Sequence, residues 1–361
     1  MGRGVCPSCR ESKPAFFSGQ RLLLYIAFAA LFVLFVGAAM PAGAPPDAKL
    51  LSKAVSAPSA PLSLAYPMDG LKERLQEATN VPKLRTGIFV FDPKNGRYLD
   101  LNGYQEFAAA SMIKLPILVS LIAAVDRGEV KLDQAVAIRQ DLITGGSGWL
   151  QWRPAGSKVS VKETAELMMV VSDNTATNMI IDLLGGKEKL SQEFALWGLK
   201  QTRINNLLGD FEGTNKTSPY DLVYLMARID RGELLSGDGR KWMMDVMQRT
   251  RIRTLLNQGL APGATIAHKT GDIGIMVGDA GIVTAPSGAR YIVSVQVERP
   301  FNDRRANALI RVVSKGIYRC FSADGTACLE TNVGSLQDEM PKTAAAPAHH
   351  HRLHRSRHAS R

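Results

Sequence analysis

Histidine is almost missing from the body of this 361-residue chain: five of the six fall in residues 349–361, and only His268 lies elsewhere. A histidine-based metal site or proton relay in the folded part therefore has one imidazole to draw on. Cysteine is nearly as scarce, with four residues and no complete zinc-ligand spacing among them, so neither a zinc ribbon nor a dense disulfide framework is expected. Aromatic residues make up 7% of the chain, and no segment interleaves them with basic ones. The net charge of +11 suggests a polyanionic partner until it is divided: +3 falls in residues 1–45 and +5 in residues 341–361, which leaves +3 for everything between. That mild balance has no nucleic-acid footprint. No nucleic-acid partner, no metal and no cofactor are expected.

What remains is the composition of a globular protein, 45% hydrophobic and 21% charged, with appendages. Leu22 to Met40 is a nineteen-residue run without a charge, preceded by Arg21 and other basic residues. A membrane span needs about 20 apolar residues, and the apolar core of a cleaved signal is usually shorter. The run therefore reads as an anchor, with residues 1–21 as a basic cytoplasmic stub. Cleavage after Ala42-Gly43-Ala44 stays open, although Pro45 follows. Either way the bulk of the chain is exported. Cys6 and Cys9 read as two free thiols in the stub, whereas Cys320 and Cys328 lie on the oxidising side, where a bridge would contribute about 2–3 kcal/mol by loop entropy.

Residues 41–65, rich in Pro, Ala and Ser, read as a tether. A domain follows over 66–328, and an Ala, His and Arg-rich tail over 329–361 reads as disordered. Within the domain, Leu71, Leu75 and Ala78 mark a short helix, and Thr86–Phe91 and Arg97–Leu101 flank an Asn-Gly turn. From Ser111 the pattern is helical, and further helices fit 161–184, 187–196, 218–231 and 239–248. Strand character returns at Thr265–Lys269, Val277–Val283 and Tyr291–Val297, before a helix from Asn302 to Tyr318. Strands at both ends and helices between predict an α+β fold: one antiparallel sheet built from the first and last parts of the domain, packed with helices, plus an inserted helical subdomain.

Three strings carry chemistry: Ser111-Met112-Ile113-Lys114, Ser172-Asp173-Asn174 and Lys269-Thr270-Gly271. A lone Ser-x-x-Lys should occur about once by chance in a chain this long, but each triplet only in roughly one such chain in twenty. Taken singly they read as a helix cap, a turn and a strand end; in order and together they describe a lysine-activated serine. A hydroxyl is a poor nucleophile until a base takes its proton. Lys114, on the same helical face as Ser111, becomes that base if burial and a second cation at Lys269 lower its pKa. Ser172 would relay the proton between Lys114 and Lys269, and Asn174 would hold a substrate amide. Asp173 is better placed to fix the turn. Lys269 and Thr270 would bind a substrate carboxylate, Gly271 would permit close approach, and the backbone N–H groups of Ser111 and Asp272 would face the oxyanion. Gly145-Gly146-Ser147-Gly148 reads only as a flexible loop.

These strings resemble the motifs of class A β-lactamases and the related penicillin-recognising serine enzymes, over about Leu71 to Phe321. Phe107, Ser172–Asn178, Leu183-Leu184-Gly185-Gly186, Thr217-Ser218-Pro219 and His268–Gly271 support the resemblance. It implies an α/α-β fold with the site between its two parts. It also implies Ser111 as acylated nucleophile, Lys114 as base, Ser172 as relay, Asn174 as substrate contact and Lys269 with Thr270 as carboxylate site. One departure stands out. Class A enzymes carry Glu-x-x-Leu-Asn in the Ω loop, whose Glu activates the deacylating water; here alignment on Thr202-Arg203 puts Leu208 in its place. Asp210 or Glu212 could substitute, or be solvated loop acids. The expectation is a monomeric hydrolase of the bacterial cell envelope that is acylated at Ser111 by β-lactams and opens their ring. The alternatives are a D-alanyl-D-alanine peptidase or acyl transferase inhibited by β-lactams, and a non-catalytic cell-wall binding module.

Overall fold

The computed structural model describes residues 60–322. The expected membrane segment Leu22–Met40, Cys6, Cys9, Cys328 and the tail lie outside them. Among the described residues, no helix is long and apolar enough to cross a membrane.

The strands are β1 (Tyr66–Pro67), β2 (Arg85–Phe91), β3 (Arg97–Leu101), β4 (Phe107–Ala108), β5 (Ala135–Ala137), β6 (Lys158–Ser160), β7 (Lys216–Thr217), β8 (Thr265–Asp272), β9 (Met276–Thr284) and β10 (Arg290–Glu298). The helices are α1 (Asp69–Thr79), α2 (Lys114–Asp126), α3 (Val161–Val170), α4 (Asn174–Leu183), α5 (Lys187–Leu196), α6 (Pro219–Asp230), α7 (Gly237–Gln248) and α8 (Arg305–Ser322). Six strands form one sheet in the order β1-β3-β2-β10-β9-β8, antiparallel except for β1 against β3. The first and last parts of the domain thus meet where β2 pairs with β10, as the distribution of strand-forming runs predicts.

Period-two alternation sends β-strand side chains to opposite faces, and each face has its own core. Ile88, Val90, Val293 and Val295 pack with Leu71 and Leu75 of α1 and Leu309, Ile310 and Val313 of α8. Phe89, Phe91 and Ile292 face the other way, into the larger core that contains α2 and the inserted helices. α2 is apolar all round, and Leu115 through Ala124 are buried, which places it at the centre of the helical block. Side-chain caps start several of these helices: Ser160 accepts from Glu163 N–H, Asp173 from Ala176 N–H, Ser218 from Asp221 N–H and Ser236 from Gly239 N–H. Such caps are worth about 1 kcal/mol each.

Two local expectations change. The helical pattern over 161–184 is two helices rather than one, and the turn expected at Ser172-Asp173-Asn174 separates them, with Ser172 at φ = 60°. The segment from Ser111 begins as a 3₁₀ turn, Ala110–Ile113, before α2. The end of the expected tether is also not free: Leu62 is buried, and Ala65 N–H donates to Gly96 O.

Candidate active site

Residues three apart eclipse one another in a 3₁₀ turn, so Ser111 and Lys114 point the same way although α2 proper starts only at Lys114. Lys114 Nζ lies 3.0 Å from Ser111 Oγ, 3.0 Å from Ser172 Oγ, 2.6 Å from Ser172 O and 2.8 Å from Asn174 Oδ1. Lys269, on β8, reaches the same hydroxyl from the sheet side, with Nζ 3.0 Å from Ser172 Oγ and 2.8 Å from Thr270 O. Ser172 thus stands between two lysines, and in its left-handed conformation both its hydroxyl and its carbonyl accept from Lys114. Ala110, next to the nucleophile, also has positive φ, at 44°. Two non-glycine residues in this region mark stored backbone strain of about 1–3 kcal/mol each, held by the packing around them.

Both lysines are fully buried. Desolvation, and then the neighbouring Lys269, hold the Lys114 ammonium well below the ordinary lysine range, with Asp173 opposing. Burial brings Lys269 down to about 7, and the charge of Asp279 opposes that fall. A neutral Lys114 amine beside a serine hydroxyl can accept its proton; a Lys269 near neutrality can hold an anion as ammonium.

Asp173 does not react but braces. Its carboxylate accepts from Ala176 N–H at the start of α4 and from Trp149 and Leu150 N–H. Gly271 has the close approach that its motif suggests: a Cβ there would lie 3.1 Å from Ser111 N and 3.0 Å from Ala110 Cβ. Ser111 and Asp272 line one cleft of about 90 Å³ together with Asn174, Gly146, Ser147, Leu208, Asp210, Phe211 and Ile273. Asn174 is less available than expected, since its side chain is engaged at both ends, by Lys114 Nζ and by Gly145 O.

The candidate water bases fare differently. Asp210 lines the cleft, but one oxygen accepts from Thr214 N–H and O–H and the other from Asn215 N–H, so the carboxylate closes its own loop. Glu212 lines a neighbouring depression with Lys216 and Arg299, outside the Ser111 cleft. Leu208 is buried, and its N–H and C=O are both bound by the Asn178 side chain. His268 is fully buried against Asp279, with Nδ1 2.9 Å from the carboxylate, and is not part of the cleft. Cys320 is disulfide-bonded. Among the described residues no cluster of His, Cys, Asp and Glu could hold a metal ion.

The sequence reading passed over the Gly145–Gly148 loop, yet Asn174 N–H donates to Ser147 O and Gly148 sits against Asp173, where a Cβ would lie 2.2 Å from its carboxyl carbon. The cluster of glycines was itself the available signal, because close backbone approach requires them.

Comparison with known proteins identifies the family. A model of the Beta-lactamase enzyme family matches residues 70–321. Beta-lactamase CARB-4 of Pseudomonas aeruginosa is 28% identical over 251 residues, 66% of this chain and 85% of its own. Extended-spectrum beta-lactamase PER-1 of the same organism is 25% identical over 270 residues, 69% of this chain and 86% of its own. Among solved structures, a mutant of PBP-A, as its acyl-enzyme complex with penicillin G, is 48% identical with a TM-score of 0.71, covering 73% of this chain and 99% of that one. A β-lactamase from Sphaerobacter thermophilus shares the fold, at 24% identity and a TM-score of 0.64, over 70% of this chain and 97% of its own. With its family match spanning the whole domain and its paired lysines meeting on Ser172, the chain belongs to the β-lactamase enzyme family and is a serine β-lactamase-like hydrolase.

Proposed function

We propose that this is an exported enzyme whose Ser111 is acylated by β-lactams and by peptides ending in D-alanyl-D-alanine, and that water releases the β-lactam-derived ester slowly. As Oγ attacks the carbonyl, Lys114 Nζ takes the serine proton; Ser172, in contact with both lysines, passes a proton to the departing nitrogen. Lys269 as ammonium, with Thr270, holds the substrate carboxylate, and the N–H groups of Ser111 and Asp272 receive the oxyanion. Attack on a β-lactam breaks the ring C–N bond and leaves the opened amine attached through the acyl chain. Attack on the peptide expels D-alanine. The nineteen-residue apolar run and the disulfide at Cys320 support export.

One observation carries the slow-release part: of the carboxylates in the Ser111 cleft, Asp210 has both oxygens bound within its own loop, and Asp272 is held at one oxygen by Gly274 N–H and Arg299. Acylation needs only Ser111, Lys114 and Ser172, whereas turnover needs a base aimed at water on the ester carbonyl. The 48% identity to PBP-A, a structure of which holds a penicillin G acyl-enzyme, supports the same reading. A second reading, rapid β-lactam hydrolysis, draws on the likeness to CARB-4 and PER-1, and it requires Asp210 to leave its loop contacts.

The two are separated by following penicillin ring opening and D-alanine release from a D-alanyl-D-alanine peptide with the purified full-length chain. The proposal expects D-alanine release and a burst of ring opening equal to the enzyme concentration, followed by a slow phase. Sustained rapid ring opening without D-alanine release would establish the second reading instead.

A further inference from the structure

The turn that follows the Lys269-Thr270-Gly271 string is held by a residue far along the chain. β8 ends at Asp272, and the chain reverses through Ile273, Gly274 and Ile275 into β9. Arg299, immediately after β10, has its side chain only 2% exposed. Its Nε donates to Gly274 O at 2.8 Å, its Nη2 to Asp272 Oδ1, and its own backbone N–H to Ile275 O at 2.9 Å. The remaining nitrogen, Nη1, donates to Asn307 Oδ1 at 2.6 Å and to Asp303 O at 3.3 Å. Asp272 Oδ1 also accepts from Gly274 N–H at 2.9 Å, and the ring of Phe301 fills the space beside Gly274.

An exposed two-strand turn can close with few demands on its neighbours. Burying a guanidinium to hold one is costly unless every donor finds an acceptor and the position of the turn matters. The residue whose position this clamp fixes is Asp272, which lines the Ser111 cleft. Its carboxylate, about half exposed at 49%, is tied down at one oxygen by both Arg299 and Gly274 N–H. The backbone N–H of the same residue is the donor assigned above to the oxyanion. Such donors work by being aimed in advance, and a displacement well under 1 Å weakens them.

We propose that Arg299 is a positioning residue for acylation: through Asp272 and Gly274 it fixes the end of β8 so that the Asp272 N–H faces the oxyanion. This inference rests on the acylation of Ser111 proposed above. Nothing in the three catalytic strings points to Arg299, which lies at the far end of the sheet sequence and touches none of the lysines or serines.

The test separates the acylation step, k2, from the binding constant K, by stopped-flow reaction of the full-length chain with a fluorescent penicillin. The variants are Arg299→Gln, Asp272→Ala and Asp272→Asn. Loss of a whole oxyanion donor costs about 10²–10³ in rate, so a donor left in place but loosened should cost about tenfold. Arg299→Gln and Asp272→Ala are each expected to lower k2 about tenfold with K changed less than about threefold. Asp272→Asn keeps an acceptor for Arg299 and Gly274 N–H, and it should recover at least about fivefold over the alanine variant. Asp272→Ala changes no core residue and carries the test even if Arg299→Gln does not fold. Wild-type acylation with all three variants within about twofold in k2, or Asn no better than Ala, would overturn this inference alone. No acylation of the wild type would instead overturn the proposed function on which it rests.

Discussion

Replacing Lys269 with methionine should make the protein more stable at neutral pH while greatly lowering its activity. The ammonium falls from 10.5 in the unfolded chain to about 7 in the folded one, chiefly by desolvation. A depressed lysine pKa means that the unfolded state binds the proton more tightly. The contribution to stability is therefore unfavourable below pH 7, and it vanishes as pH rises towards 10.5. A shift of about 3.5 units at about 1.4 kcal/mol each, reduced because half the folded molecules are already neutral at pH 7, gives a cost of about 4 kcal/mol there. Methionine removes that cost and also the contacts to Ser172 Oγ and Thr270 O, worth about 1 kcal/mol each. The expected net gain is about 2 kcal/mol at pH 7. By pH 9 the wild type has shed about 2 kcal/mol of the cost, so the two proteins should then be nearly equal. Urea unfolding of both at pH 7 and pH 9 measures this. A variant less stable than wild type at pH 7, or a stability difference that does not change with pH, would refute the reasoning.

Three further outcomes follow from the same site. Acylation should rise with pH through the depressed pKa of Lys114; since the charge of Lys269 helps to depress it, residual acylation in Lys269→Met should have its acidic limb displaced to higher pH, and an unmoved limb would remove Lys269 from that role. Leu208→Glu puts a carboxylate among the residues that line the Ser111 cleft and should speed release of the penicillin adduct about tenfold or more; an unchanged adduct lifetime would show that a water base is not what is missing. Asp210→Ala deletes the acceptor of three loop hydrogen bonds and should lower stability by about 1–3 kcal/mol, whereas a tenfold loss of adduct release in Asp210→Asn would identify Asp210 as the base.

The parts of the site that could be read from the sequence are those in which residue type alone specifies chemistry. The Ser111–Lys114 pair, Ser172 and Lys269 come from three distant parts of the chain and meet within hydrogen-bond contact. The sheet was legible for a related reason: β8, β9 and β10 are β-rich runs bounded by turn residues and buried on both faces. Backbone geometry was not legible. The polar string Ser172-Asp173-Asn174 marks a turn inside the helical run over 161–184, but residue type does not show that Ser172 takes a left-handed backbone there. Asp210 and Arg299 were opaque for another reason. A loop carboxylate looks the same in sequence whether it faces water or closes its own turn, and the two acceptors through which Arg299 holds the β8–β9 turn lie 25 and 27 residues upstream.

Intact mass spectrometry of the full-length protein mixed with penicillin G, beside Ser111→Ala, tests the central claim most directly. Rapid gain of one whole penicillin on the wild type, slow return to the free mass, and no gain on Ser111→Ala are predicted. An adduct on Ser111→Ala, or neither adduct nor ring opening with the wild type, would contradict the account.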